Sequence, residues 1–261
     1  MLFISLVYKK KRSILFNEGS DCLKIDVLDI PLNYEEYGSG KNIILLHGWG
    51  TSLKSFENVI DHLSNNYHVW AIDWPGFGNS DEPPRSYGII DYMAVLRKFI
   101  TLKEIDNPII VGHSFGGRVA IKYASSFDVE KMVLVDSAGI KPKRNLWYYI
   151  RIYLFKLLKL LHIKLNLGSV DYKASSNLMK GTLSKVVNED LKTDMESIRC
   201  PTLLIWGEND LVTEISDGKT MEGIIKNSGL AIIPSSGHYP FLDNPAYFLL
   251  VLDSFLSSDE T

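Results

Sequence analysis

The residue that most clearly indicates chemistry in this sequence is Ser114, which has one glycine two positions before it and another two positions after it. It lies in the run Gly112–Gly117, after the apolar segment Pro108–Val111 and before a segment with apolar residues at helical spacing. In so sharp a turn from strand to helix, the central residue takes a strained conformation that lifts its side chain above the sheet. Glycines two positions away allow the neighbouring backbone to approach closely. The pattern predicts that Ser114 is a nucleophile.

A serine hydroxyl is a poor nucleophile at neutral pH and needs a base, for which the sequence offers six histidines. His238 follows the apolar run Leu230–Ile233 in a Ser-Ser-Gly-His loop. Such a loop lies at the carboxyl edge of the strands, where ligands bind in open α/β sheets. His62 and His68 are predicted to face solvent, and His162 belongs to an inserted segment. His113 is predicted to pack against the sheet, and His47 to organise the loop in which it lies. His238 is therefore the predicted base, by elimination.

The base needs an acid that fixes the tautomer of its ring and stabilises the imidazolium as it forms. Asp210 is the preferred candidate, because it closely follows the predicted strand Thr202–Trp206. Glu208 in the same loop is one competitor, and Asp136, directly after the predicted strand Met132–Val135, is another. Either competitor could instead bind backbone N–H groups as a structural acid, so the choice stays open.

Backbone N–H groups must stabilise the oxyanion that forms during acyl transfer. The N–H of Phe115 follows the nucleophile at the start of a helix, and the N–H of Trp49, in the loop after the strand Asn42–Leu46, is the second predicted donor. The aromatic residues near these loops predict an apolar substrate pocket, lined by Trp49, Phe115, Tyr239 and Phe241.

Short apolar strands alternate with segments of helical spacing along most of the chain, which predicts a mostly parallel, doubly wound α/β sheet. Eight strands are expected: two antiparallel strands within Leu23–Tyr37, followed by Asn42–Leu46, Val69–Ile72, Pro108–Val111, Met132–Val135, Thr202–Trp206 and Leu230–Ile233. Ser52 is predicted to cap a helix that runs to about Leu63. These elements place the serine, the acids and the histidine at the same edge of the sheet.

Together these motifs make the chain resemble the α/β-hydrolase superfamily. The matching segments are His47–Gly50, Asp73–Ser80, Gly112–Gly117, Trp206–Asp210 and Gly237–His238. The resemblance implies the fold of that superfamily and its order of catalytic residues along the chain, which is serine, acid, histidine.

The likeness is greatest to carboxylesterases and to hydrolases that split carbon–carbon bonds of ring-cleavage products. Haloalkane dehalogenases and epoxide hydrolases carry an aspartate at the position of Ser114, which disfavours both. The resemblance therefore implies an esterase that cleaves a small or medium apolar acyl ester through an acyl-enzyme. The alternatives are a carbon–carbon hydrolase or thioesterase and, in another class, a ligand-binding protein that keeps the fold.

The strand pattern is interrupted from residue 141 to residue 199 and resumes afterwards, so this segment is predicted to be a helical cap inserted after the sixth strand. The core would then comprise residues 1–140 and 200–261. From Lys141 to Leu167 the segment has many lysines and arginines and no acidic residue. This part is interpreted as a cap helix over the site, with contact to a membrane surface as the alternative.

The bulk composition excludes several other classes. The formal net charge is −3, so nothing indicates binding to nucleic acid. The two cysteines, Cys22 and Cys200, form no metal or redox motif, and no metal or cofactor is expected. The first residues lack the order of a secretory signal, and no apolar stretch is long enough to span a membrane, so a cytoplasmic location is expected. The oligomeric state is left open.

Overall fold

The computed structural model describes residues 23–141 and 176–258. Its eight strands are β1 Leu23–Val27, β2 Ile30–Gly38, β3 Lys41–Leu46, β4 Tyr67–Ile72, β5 Ile109–His113, β6 Met132–Val135, β7 Thr202–Gly207 and β8 Ser228–Ile233. They form one sheet in the order β1-β2-β4-β3-β5-β6-β7-β8. The sheet confirms the predicted fold class, and no end of the strands from β3 to β8 differs from its predicted position by more than two residues.

The first two strands pair antiparallel, and β2 also pairs antiparallel with β4, whereas the remaining neighbours are parallel. A two-residue turn joins β1 to β2, and both of its residues, Leu28 and Asp29, have positive φ. Turns of this kind match the twist of the two strands they connect. Strand β3 is apolar and fully buried from Ile43 to Leu46, as expected for a strand covered on both faces.

The helices are α1 Glu57–Leu63, α2 Ile89–Leu102, α3 Phe115–Ala124, α4 Asn177–Val186, α5 Lys192–Glu196, α6 Ile215–Ile224, α7 Pro240–Asp243 and α8 Pro245–Leu256, and a 3₁₀ turn, Leu53–Phe56, precedes α1. The predicted capping by Ser52 is wrong, because its side chain makes no capping hydrogen bond. The N–H of Leu53 instead donates to the buried carboxylate of Asp73 at 2.8 Å. Within the described segments, no helix has the length and apolar composition needed to cross a bilayer.

Two hydrophobic cores cover the two faces of the sheet. The first contains the buried side chains of α2 and α3, and the second contains those of α1 and α8. Side chains of β3 alternate between them, so that Ile44 and Leu46 belong to the first core and Ile43 and Leu45 to the second. The two cores fix the strands from both sides and thereby hold the loops at their carboxyl ends.

Helices α4 and α5 lie between β6 and β7 along the chain, within the segment predicted to be a cap. The predicted basic helix from Lys141 to Leu167 lies outside the described residues except for Lys141 itself.

Gly116 in α3 packs so closely against β3 that a Cβ atom there would overlap the carbonyl oxygen of Leu46. We expect Gly116→Ala to lower the free energy of unfolding by about 1–3 kcal/mol or more, because the overlap forces the helix away from the sheet. Gly223→Ala in α6 is the matched control, since nothing lies within 4 Å of its Cβ position. There alanine should raise stability by up to about 1 kcal/mol. Urea unfolding measures both, and equal midpoints for Gly116→Ala and wild type would contradict the account of this contact.

Candidate active site

Ser114 lies at the turn between β5 and α3, with φ of +50° and ψ of −108°. A non-glycine residue rarely adopts this backbone conformation, and it persists only where the surroundings enforce it. The enforcement comes from close packing around the turn: a Cβ on Gly112 would lie 2.8 Å from the backbone of Gly116 and Gly117. The side chain of Ser114 therefore projects from the carboxyl edge of the sheet, where the residue stays partly exposed.

His238 joins Ser114 to Asp210. Its Nε2 lies 3.0 Å from Oγ of Ser114, and its Nδ1 lies 2.8 Å from Oδ2 of Asp210. Nδ1–H donates to the carboxylate in the tautomer that leaves Nε2 free to accept the serine proton. The side chain of His238 is 12% exposed and that of Asp210 is fully buried, so this chain of hydrogen bonds is largely shielded from water. The structure thus brings together the three residues that the sequence pattern selected.

Asp210 is held by donors on both of its carboxylate oxygens. Oδ1 accepts the N–H of Val212 at 2.7 Å, and Oδ2 accepts the hydroxyl of Thr213 at 2.6 Å as well as the histidine N–H. Burial acts to raise the pKa of Asp210, but hydrogen bonds from His238, Thr213 and Val212 outweigh it and lower the pKa to about 2. No motif in the sequence indicates Thr213 as a partner of Asp210, although aspartates often accept N–H groups of nearby residues in local turns.

The two competing acids have other partners. Glu208 is exposed, and its Oε2 accepts the N–H of Ser235 at 2.9 Å. Asp136 is fully buried, and its Oδ1 accepts the N–H of Gly207 at 2.8 Å. Among these three acids, Asp210 is the one that hydrogen-bonds His238 within the residues the structure describes. The alternatives left open by the sequence are therefore distinguished by geometry.

Asp136 nevertheless lies close to the other two polar side chains. One carboxylate oxygen of Asp136, one of Asp210 and one ring nitrogen of His238 all lie within 4.8 Å of one another. Three such groups are of the types that hold a metal ion, but both ring nitrogens of His238 already have partners, Oδ2 of Asp210 and Oγ of Ser114. Burial raises the pKa of Asp136 to about 9, and the neighbouring carboxylate of Asp210 adds to this effect.

His113 contacts the backbone of the predicted base, His238. Its Nε2 lies 2.8 Å from the backbone oxygen of His238, and the centroids of the two imidazole rings are 4.9 Å apart. Burial lowers the pKa of His113 to about 3, so the ring is neutral and Nε2–H can donate to that oxygen. The sequence predicts packing against the sheet for this residue. Its bond to the loop of His238 is an additional role that spacing along the chain could not reveal.

His47 organises the loop after β3, as its position in the sequence indicates. The ring is fully buried, its Nδ1 lies 2.7 Å from the carbonyl oxygen of Gly48, and its Nε2 accepts the N–H of Trp74 at 3.0 Å. Burial lowers the pKa of His47 to about 4, which keeps the ring neutral and able to accept. The loop that carries Trp49, one of the two predicted oxyanion donors, is thereby fixed to the end of β4.

That loop lies directly against the nucleophile. A Cβ on Gly48 would be 2.7 Å from Nδ1 of His113 and 3.4 Å from Cβ of Ser114. The rings of Trp49 and Phe115 pack edge to face, with their centroids 5.5 Å apart. Phe115 is the first residue of α3, where N–H groups have no partner within the helix. The two residues predicted to donate to an oxyanion are thus neighbours beside Ser114.

The four aromatic residues predicted to line a pocket divide into two pairs. Trp49 and Tyr239 are partly exposed, and the ring of Tyr239 lies 5.4 Å from that of His238. Phe115 is 3% exposed and Phe241 has no exposed surface, so both rings belong to the hydrophobic cores. The structure places Trp49 and Tyr239 at the surface of the site and the two phenylalanines beneath it.

Comparison with known proteins assigns the chain to a family. The family model described as "Alpha/beta hydrolase family" matches residues 43–249. The 2-hydroxy-6-oxo-6-(2'-aminophenyl)hexa-2,4-dienoic acid hydrolase of Metapseudomonas resinovorans is 28% identical over 87% of this chain and 88% of its own. The pimeloyl-(acyl-carrier protein) methyl ester esterase of Nitrosomonas europaea is 24% identical over 85% of this chain and 98% of its own.

Among solved structures, an esterase from Exiguobacterium antarcticum superposes with a TM-score of 0.73 at 23% identity, over 91% of this chain and 100% of its own. At that identity the likeness concerns the fold. The family model covers most of the chain, including the segments that carry Ser114, Asp210 and His238. The chain therefore belongs to the alpha/beta hydrolase family.

Proposed function

We propose that this protein is a serine hydrolase that cleaves small or medium apolar acyl esters through an acyl-enzyme intermediate. The observation that carries the proposal is the position of His238, within hydrogen-bonding distance of both Ser114 and Asp210. A nucleophile, a base in contact with it and an acid that orients the base are the groups that acyl transfer needs.

In the first half of the reaction, Oγ of Ser114 attacks the ester carbonyl carbon while Nε2 of His238 takes the hydroxyl proton. Asp210 stabilises the imidazolium through its bond to Nδ1–H. The carbonyl oxygen becomes an oxyanion, which the N–H groups of Trp49 and Phe115 stabilise. When the C–O bond of the ester breaks, His238 returns its proton to the leaving alcohol, and the acyl group remains on Ser114.

In the second half, a water molecule replaces the alcohol. His238 takes one proton from the water as its oxygen attacks the acyl carbon, and the same pair of N–H groups stabilises the second oxyanion. The bond between the acyl carbon and Oγ of Ser114 then breaks, and His238 returns the proton to the serine. The products are a carboxylic acid and the regenerated enzyme.

The surroundings of the site support an apolar acyl group. Trp49 and Tyr239 present partly exposed rings beside the nucleophile and the base. Leu211 and Val212, which directly follow the acid, are 93% and 70% exposed. Apolar side chains exposed beside polar catalytic groups are typical of sites that bind apolar ligands.

Replacing the nucleophile tests the proposal most simply. Wild-type protein should hydrolyse p-nitrophenyl butyrate and react with a fluorophosphonate probe, whereas Ser114→Ala should lose the label and about 10³-fold or more of the rate. Absorbance of released p-nitrophenolate and in-gel fluorescence measure the two effects. A wild type that neither turns over the ester nor takes up the label would favour the ligand-binding alternative.

The two acids after β7 provide a matched pair for testing the orienting role. Asp210→Asn should reduce kcat about 10³- to 10⁴-fold, because the amide no longer fixes the productive tautomer of His238. Glu208→Gln, two residues away, should stay within about threefold of wild type, since its carboxylate bonds the N–H of Ser235 rather than the histidine. Steady-state assays with the same ester measure both variants. Equal losses in the two variants would argue against Asp210 as the acid.

Carbon–carbon hydrolysis is the second candidate function, favoured by the 28% identity to a hydrolase of a substituted 2-hydroxy-6-oxohexadienoic acid. A purified 2-hydroxy-6-oxodienoate ring-cleavage product serves as the probe, and loss of its visible absorbance reports cleavage. We expect kcat/KM for p-nitrophenyl butyrate to exceed that for the dienoate at least about tenfold. The opposite ranking, with both activities lost in Ser114→Ala, would retain the serine mechanism and replace the ester by the dienoate as substrate.

A further inference from the structure

Asp136 occupies an unusual position at the end of β6. Its φ is +40°, in the left-handed region, and its side chain is fully buried. Its backbone N–H donates to the carbonyl oxygen of Ile205 at 2.9 Å, and Oδ1 accepts the N–H of Gly207 at 2.8 Å. The residue therefore links the end of β6 to the end of β7, just before the loop that carries Asp210.

The second carboxyl oxygen of Asp136, Oδ2, takes part in neither of these bonds. Oδ2 is buried and has no hydrogen-bond partner among the described residues. A buried polar atom without a hydrogen-bond partner destabilises the folded state, so most buried polar atoms have such a partner. The carboxylate of Asp210 is a candidate partner, because one of its oxygens lies within 4.8 Å of a carboxylate oxygen of Asp136.

Two carboxyl groups this close in a buried setting cannot both carry a charge at low cost. The groups divide clearly: donors surround Asp210 and lower its pKa to about 2, whereas burial and the charge of Asp210 raise the pKa of Asp136 to about 9. Asp243 acts on Asp136 in the same direction, and the N–H of Gly207 opposes it. At neutral pH these pKa values place a single proton on the pair, at Asp136.

We propose that Asp136 is a positioning residue that stays protonated and donates a hydrogen bond from its Oδ2–H to the carboxylate of Asp210. The donation satisfies the buried oxygen and adds a donor to those from His238, Thr213 and Val212. The pair carries a single negative charge, located on the acid that contacts His238. The functional part of this inference rests on the proposed function, because it assigns Asp136 to the support of the catalytic acid.

The protonation state is tested directly by infrared difference spectroscopy of the resting protein. Wild type minus Asp136→Asn at pH 7 should show the carbonyl stretch of a protonated carboxyl group, sensitive to H/D exchange. In wild type alone, that band should disappear as the pH rises through about 9. Absence of the band at pH 7 would overturn the proposal. The measurement needs no substrate, so its outcome is separate from success or failure of the ester assay.

The positioning role is tested by kinetics per fluorophosphonate-titrated site, which removes differences in the folded fraction. Asp136→Asn keeps an N–H donor toward Asp210 and a carbonyl acceptor for Gly207, so kcat should stay within about threefold of wild type. Asp136→Ala removes both and should lower kcat about tenfold or more. An asparagine variant as slow as the alanine variant would show that the negative charge of Asp136 is needed, and would overturn the proposal. If the alanine variant does not fold, the infrared band and the asparagine variant still decide the question.

Discussion

The site depends on one backbone constraint, the left-handed conformation of Ser114 between β5 and α3. This conformation is unfavourable by itself, and the close packing of Gly112 and Gly116 against neighbouring backbone enforces it. The same packing presses the start of α3 against β3 and thereby brings the loop of Trp49 next to the nucleophile. The packing around this strained residue thus positions the serine hydroxyl and the two residues predicted to donate to the oxyanion.

Parallel strands explain how residues far apart in sequence meet at this point. Ser114 and His238 are separated by 124 positions, yet their side chains are 3.0 Å apart. Strands β5, β6, β7 and β8 are parallel neighbours, so the loops at their carboxyl ends lie side by side. Each of these four strands supplies one polar side chain at its end: Ser114, Asp136, Asp210 and His238. The electrostatics follow from this convergence, because hydrogen-bond donors lower the pKa of Asp210, whereas burial and the neighbouring carboxylate raise the pKa of Asp136.

The sequence was sufficient to predict the fold and the polar residues that meet, because glycine spacing and buried strands are local signals. Ser114 was evident from its flanking glycines, and His238 followed by elimination among the histidines. The choice among Asp210, Glu208 and Asp136 required the structure, since all three follow strands and differ in burial and in hydrogen-bond partners. The protonation of Asp136 and the burial of Phe241 in the core were not predictable either. Both depend on contacts between residues far apart in sequence, which spacing along the chain does not encode.

The most direct test of the acyl-enzyme account is mass spectrometry of wild-type protein quenched during turnover of p-nitrophenyl butyrate. The account predicts one butyryl group per molecule, located by peptide mapping on Ser114 and absent from Ser114→Ala. Turnover without a covalent adduct, or an adduct on another residue, would contradict the assignment of Ser114 as the nucleophile.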